Sequence, residues 1–388
     1  MLSHCEVFAG GKVVVALHTA HPYGSAGYKS LLQGVAHTRV THIFSSHASE
    51  NEIGDIIVVF FEGNTTVYDM VAYFTAHPHV VYAEPCYAFA NHTVPNDPRF
   101  LAQWGLENIH APQAWEYTTG CTDVVVGIVD SGIDPAHPDI KENLWRSPTG
   151  SYGWNFYSDT NNTDDITAHG THVAGIVGAL GNNAIGIAGV CWRVKLAALK
   201  IGDATFGMSA AIAAIAYANE HRIPVLNNSW GGQYDSPILK HVISQYKGLF
   251  VVSAGNVGAD NDTTPDFPGN FDCENIISVA ATDAQNALAQ FSNYGAKNVD
   301  IAAPGVDILS TALHGEYNTR SGSSMSAPYV AGAAALLLSR APHLTAVQVK
   351  EAILSAATPQ PQLAGKVVTG GVLNLRAMLA EPPFGQCI

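Results

Sequence analysis

VVVGIVDSGIDPAHPD, residues 124–139, decides the fold. Its first six residues are apolar, and the run stops at Asp130, where the turn-forming DSGID begins. A strand that is apolar at every position is buried on both faces, the mark of a parallel sheet between helical layers. Asp130 should therefore emerge at the C-terminal tip of a central strand. Working outward, helical and strand patterns alternate: HVAGIVGAL from 172, VKLAALKI from 194, MSAAIAAIAYANEH from 208, PVLNNSW from 224 and LFVVSAG from 249. This β–α alternation predicts an α/β domain with a mostly parallel sheet, whose chemistry lies in the loops at the strand C-terminal ends.

Upstream, KVVVALH, DIIVVFF and VVYAEPCYAFA alternate with apolar-periodic stretches near Tyr28–Val35 and Val67–Phe74, which reads as a small α+β unit. NHTVPNDPR, residues 91–99, has a linker's composition. The domains are accordingly expected at residues 1–93 and 94–388. The whole chain has 388 residues, 36 glycines, 20 prolines and only 13% charged residues, so it can bury a large core.

A net charge of −14 without a basic block argues against nucleic-acid binding, which needs Lys and Arg against phosphates. No stretch reaches the about 18 apolar residues of a membrane span, and MLSHCEVFAGGK carries no export-signal pattern. A soluble, secreted monomer is the expectation. The six cysteines show no C-x-x-C pair or zinc-type cluster, and their spacing leaves disulfides and buried thiols both open.

Four residues could share one cleft. Asp130 ends the first strand, with Asp134 and Asp139 as competitors. His169 opens AHGTHVAGIVGAL at a helix start; with His172 it also has the look of a metal pair, but the spacing lacks the H-E-x-x-H glutamate and a third ligand. Ser324, in RSGSSMSAPYVAG, sits at a helix N-terminus, where unpaired N–H groups and the dipole stabilise an oxyanion. There it could equally be an N-cap, with Ser321, Ser323 and Ser326 as rivals, and Pro328 is expected in or near the first turn. Asn256 follows the strand LFVVSAG. A hydroxyl nucleophile, an imidazole base, a carboxylate to fix the imidazole tautomer and an amide donor make a hydrolase set.

These motifs, with NNSWGG from Asn227 and VVSAGN ending at Asn256, resemble the subtilases, the subtilisin-like serine peptidases, nearest the thermitase-like branch; the order Asp, His, Ser is theirs. The resemblance runs from PNDPRFLAQWGLENIHAPQAW to GGVLNLRAML and, more loosely, over the first ninety residues, which resemble an inhibitory propeptide. It implies a three-layer α/β/α domain preceded by a ferredoxin-like prodomain, peptide-bond hydrolysis through an acyl-enzyme, and an autoprocessed zymogen. Asp130 would orient His169, the base and then acid; Ser324 would attack; and Asn256 with the Ser324 N–H would hold the oxyanion. Protein or peptide substrates would lie along Ser229, Trp230, Gly231 and Gly255, and the prodomain would be an intramolecular inhibitor. Ser323 stands where the family has Thr, and Ser326 where it has Ala. The loop GNNAIGIAGV resembles a structural calcium loop, implying Ca²⁺ on Asp97, Asp139, Leu180, Asn183, Ile185 and Ile187. Asp266, before FPGN, is expected as a solvated loop carboxylate, with a role in a specificity pocket as the alternative.

Overall fold

The computed structural model describes residues 8–18, 26–33, 35–45, 53–61, 65–87 and 93–380. Contacts divide the chain into two compact units, Met1–Asn91 and His92–Ile388. Cys5, Cys387 and residues 91 and 92 of the expected linker lie outside the described residues.

The first unit contains β1 (Phe8–His18), α1 (Ala26–Leu31), β2 (His37–Ser45), β3 (Ile53–Phe61), α2 (Val67–Thr75) and β4 (Val80–Tyr87). Its sheet order is β2-β3-β1-β4 with every neighbouring pair antiparallel, so two β–α–β units interleave. Val13, Val15, Leu17, Ile57 and Val59 pack on Leu31 and Phe74. Thr66 caps α2 in a reciprocal box with Asp69.

The second unit begins with α3 (Trp104–Asn108), α4 (Ala111–Ala114), β5 (Gly120–Asp130), β6 (Gly153–Asn155), α5 (His169–Gly178) and β7 (Arg193–Lys200). It continues with α6 (Met208–Glu220), β8 (Val225–Asn228), α7 (Pro237–Gln245), β9 (Leu249–Ser253), β10 (Ile276–Thr282), β11 (Ile301–Pro304), β12 (Ile308–Thr311) and β13 (Tyr317–Arg320). It ends with α8 (Ser323–Arg340), α9 (Ala346–Ser355), β14 (Thr358–Pro359), β15 (Gly371–Val372) and α10 (Leu375–Ala380). The nine-stranded sheet runs β14-β15-β11-β10-β9-β8-β5-β7-β6, parallel except at the β14–β15 edge.

Alternation along the strands explains the layers. Val126, Ile128, Leu196, Val251 and Val279 face the core built by α5 and α8. Val129, Leu199, Leu226, Phe250 and Val252 face the opposite core under α6 and α7. Strands apolar on both faces thus sit between two helical layers, the three-layer architecture that the alternation predicts. After β5 the chain forms β6 and β7 on one side and then crosses to β8 on the other. The crevice at such a reversal, outside the strand C-termini, is where open α/β sheets bind ligands.

One sequence expectation needs correction. α8 starts at Ser323, so Pro328 is inside the helix, beyond the first turn. A proline there removes the N–H that would bond the carbonyl four residues back, which is that of Ser324. Ser229 Oγ donates to this carbonyl instead, at 2.8 Å.

Candidate active site

Register sets the cleft. Val129 of β5 pairs with Asn228 of β8, and Asn228 with Val252 of β9, so adjacent strands end level. Asp130, Ser229 and the Gly255–Asn256 turn therefore emerge side by side.

Asp130 is fully buried. Its Oδ1 accepts the Ser131 N–H at 2.7 Å and lies 2.7 Å from His169 Nδ1, while Oδ2 is buried without a hydrogen-bond partner among the described residues. The first turn of α5 is tied to the end of β5 by a relay: Gly170 N–H donates to Ser131 Oγ (2.9 Å), whose proton goes to Asp165 Oδ1 (2.9 Å). Asp165 also accepts the N–H groups of Thr167, Ala168 and Thr171 and the Thr171 hydroxyl. Gly170 must be glycine, because a Cβ there would overlap Gly132 O and meet Asp130 Cβ at 3.2 Å. Ala168 holds φ +63°, a left-handed conformation uncommon outside glycine and concentrated at functional sites. Burial opposes charge on the His169 ring, but the charge and hydrogen bond of Asp130 outweigh it and lift its pKa above the ordinary value.

The competing residues separate cleanly. His172 is buried, contacts Asn318 O through Nε2 at 3.2 Å and is pushed down to about 3 by burial, so it is a neutral packing residue. Asp134 accepts the Ala136 and His314 N–H groups, a turn former's role. Ser321 Oγ accepts the Asp307 N–H, and Ser326 Oγ donates to Pro304 O. Ser324 Oγ donates to Ser229 O at 3.3 Å, and among the described residues it has no hydrogen bond with His169. The N-cap of α8 is Gly322, not a serine.

Asn256 is oriented by the residue before Ser324. Its Oδ1 accepts the Ser323 N–H at 2.7 Å. Ser323 Oγ accepts the Gly255 N–H (3.2 Å) and lies within reach of Gly255 O (3.1 Å) and Asn256 Oδ1 (3.0 Å), one of which takes its single proton. With Oδ1 engaged, the Asn256 amide presents Nδ2 as its donor. A point one Cβ bond from Gly322 is 3.7 Å from Asn256 Nδ2, Asn256 Oδ1 and Ser324 N alike, so the Asn256 amide group and the Ser324 N–H border the same space.

Beside Ser229 and Gly231 lies a cavity of about 350 Å³ lined by Phe206, Met208, Trp230, Tyr234, Leu239 and Phe267, among others, with no charged side chain. Trp230 also packs edge-on against Phe250, so ring and backbone both contribute here. Phe206 stands 6.4 Å from the His169 ring. Sequence reading misses the Ser131–Asp165 relay and Phe206. DSGID and TDDITAHG are ordinary turn compositions, and only the fold puts them in contact.

Asp97 and Asp139 are both buried, and burial raises both carboxyl groups. Among the described residues neither has a Lys or Arg at ion-pair distance. Asp139 accepts the Ile187 N–H (2.9 Å), the Tyr317 hydroxyl (3.0 Å) and Asn183 Nδ2 (2.8 Å); Asp97 accepts the Asn182 N–H (2.6 Å). The carbonyls of Leu180, Ile185 and Ile187 accept no hydrogen bond from the described residues. No group of three His, Cys, Asp or Glu side chains occurs among the described residues, so carbonyls must complete any site. Two carboxylates without an ion-pair partner among the described residues and idle carbonyls are an oxygen-only set suited to Ca²⁺. Asn183 turns its Nδ2 to Asp139 and its Oδ1 to the Ile185 N–H, so it would join only with its amide reversed.

Cys86, Cys121, Cys191 and Cys273 are free thiols. No helix among the described residues is long and apolar enough to cross a membrane.

The sequence model of the Subtilase family matches residues 122–373. The thermophilic serine proteinase of Bacillus sp. strain AK1 is 38% identical over 269 residues, covering 68% of this chain and 64% of that protein. Subtilisin E of Bacillus subtilis is 38% identical over 261 residues, 66% of each chain. Thermitase of Thermoactinomyces vulgaris is 37% identical over 252 residues, 63% of this chain and 86% of that one. This chain thus spans slightly under two thirds of the length of the first two relatives. Among solved structures, a protease from Pseudoalteromonas arctica superposes with a TM-score of 0.66 at 28% identity, covering 74% of this chain and 99% of that one. Family match, relatives and architecture agree: the chain belongs to the subtilase family.

Proposed function

We propose that this protein is a secreted serine endopeptidase that hydrolyses peptide bonds through an acyl-enzyme and is made as an autoprocessed zymogen. The observation that carries the reading is the 2.7 Å bond from His169 Nδ1 to the buried Asp130, which fixes the tautomer whose Nε2 can accept a proton. Ser324 Oγ attacks the scissile carbonyl, His169 takes the Ser324 proton and returns it to the leaving amine, and Asp130 stabilises the imidazolium. Asn256 Nδ2 and the Ser324 N–H receive the oxyanion. Ser229 to Gly231 and Gly255 line an extended substrate, which adds a strand beside them, while the apolar cavity at Phe206 and Trp230 takes an apolar substrate side chain. Labelling by a fluorophosphonate, present in the native protein and absent in Ser324→Ala, tests the reading. An unlabelled native protein would sink it.

Residues 1–93 act in this reading as the prodomain, an intramolecular inhibitor released by a cut between Asn91 and Asn96, leaving residues 94–388 as the peptidase. Asn256→Ala is expected to lower kcat by about 10²–10³-fold with KM little changed, a magnitude carried over from subtilisin. Steady-state kinetics on a folded variant measures it, and unchanged kcat would remove Asn256 from the mechanism.

The loop Leu180–Ile187, with Asp97 and Asp139, holds a structural Ca²⁺ whose charge neutralises two buried carboxylates. Calcium at 100-fold excess over its Kd should stabilise the fold by about 2.7 kcal/mol. Thermal melts with Ca²⁺ and with chelator should show a higher midpoint with the ion; coincident melts would exclude this role.

A further inference from the structure

The residues around Asp266 run beside the substrate-lining segment. Gly232 N–H donates to Phe267 O at 2.8 Å and Phe267 N–H to Gly232 O at 2.7 Å, an antiparallel bridge that fixes Asp266 against Gly231. Asn270 pins it from the other end: its Oδ1 accepts the Asp266 N–H (3.1 Å) and its N–H donates to Asp266 O (3.0 Å). The backbone is held, and the side chain points between two glycines. Asp266 Oδ1 fills the space that a Cβ on Gly231 would take, and Oδ2 lies 3.3 Å from the Cβ position of Gly255. Gly231 is two residues past Ser229, which touches Ser324, and Gly255 immediately precedes Asn256. The carboxylate thus sits between the two backbone segments that lead to the reacting groups.

Asp266 is half-buried, not the solvated loop residue expected from sequence. Burial pushes its carboxyl up to about 6. Among the described residues neither carboxylate oxygen accepts a hydrogen bond, and no Lys, Arg or His lies at ion-pair distance. Buried carboxylates are ordinarily paired or hydrogen-bonded because desolvating them is costly. Here the backbone around the group is anchored while the charge has no partner among the described residues. A cation entering with a ligand would supply that partner.

We propose that Asp266 is the specificity determinant of the cleft and receives the Lys or Arg side chain of the residue whose carbonyl Ser324 attacks. The assignment rests on the peptidase reading. That residue's carbonyl lies between Ser324 and Asn256, so its side chain is the one that can descend between Gly231 and Gly255. A guanidinium matches a carboxylate with two parallel hydrogen bonds, so Arg is preferred to Lys. The uncharged cavity at Phe206 and Trp230 serves a different substrate side chain.

Matched fluorogenic peptides differing only at the cleaved residue, with Arg, Lys, citrulline, Phe or Leu, test this on the native protein. Arg should exceed its neutral isostere citrulline in kcat/KM by about 10- to 100-fold, the range expected for a hydrogen-bonded charge pair. Asp266→Asn, with Asp266→Ser as a second variant, should reduce the Arg-to-citrulline ratio toward one. Equal cleavage of Arg and citrulline peptides by the native protein, or a ratio kept in either folded variant, overturns the assignment while leaving the peptidase reading intact. Failure to cleave any of the peptides, together with absent fluorophosphonate labelling, overturns the peptidase reading and the assignment with it.

Discussion

Replacement of Ser324 by alanine should lower kcat by about 10⁶-fold, the size seen when the nucleophile is removed from subtilisin. None of the neighbouring serines is a free substitute hydroxyl. Ser323 Oγ is buried in its bonds to Gly255 and Asn256, Ser326 Oγ is committed to Pro304 O, and Ser321 serves Asp307. What survives is the contribution of binding and of the Asn256 and Ser324 N–H donors, neither of which needs the hydroxyl. Folding should be retained, because among the described residues the hydrogen bond lost is the long one to Ser229 O, whereas the Ser229–Ser324 carbonyl bond stays. The variant should also persist as the uncut 41.0 kDa chain where native protein shortens. Mass spectrometry and active-site titration read both effects. Cleavage of the variant chain at its own linker in the absence of other proteases would show that Ser324 is not the nucleophile of processing.

The legibility of this protein in its sequence divides along physical lines. The second unit is read well because β5, β8 and β9 are apolar on both faces, so the parallel sheet is written as unbroken runs ending at polar residues. β2, HTRVTHIFS, escapes the reading because no residue in it is fully buried and polar and apolar positions do not alternate cleanly. The candidate acid, base and nucleophile are visible at strand and helix ends, but each competes with an ordinary turn or cap there. Register separates them by bringing Asp130, Ser229 and Asn256 level, and hydrogen bonding by assigning Asp134 to a turn and Ser326 to Pro304. Pro328 looks like a first-turn residue because the position of Ser323 as the helix start depends on the Asn256 bond to its N–H, a contact across 67 residues. Asp266 reads as a loop carboxylate because nothing local marks the two glycines, 35 and 11 residues before it, that enclose it.

Asp130→Asn should cost about 10⁴-fold in kcat, again the magnitude known for this exchange in serine-protease triads. The amide keeps the carboxylate's shape in a site with no room to rearrange. If its oxygen stays where Oδ1 now accepts both Ser131 N–H and His169 Nδ1–H, its NH₂ falls at the Oδ2 position, which is buried without an acceptor. If the amide reverses, the NH₂ faces His169 Nδ1, the proton moves to Nε2, and that nitrogen can no longer accept from Ser324. Both arrangements also remove the negative charge that stabilises the imidazolium. The pH dependence separates this loss from simple misfolding. Catalysis needs neutral His169, so native kcat/KM should fall as pH drops through a His169 pKa lifted above its ordinary value by Asp130 against the opposing pull of burial. With the charge gone and the burial unchanged, the pKa must fall, and the acid limb of the variant's residual activity should move to lower pH. A pH–rate profile on fully folded Asp130→Asn reads the shift directly. An acid limb in the native position would mean that Asp130 does not set the charge state of His169, and the 2.7 Å contact would then be an orienting bond alone.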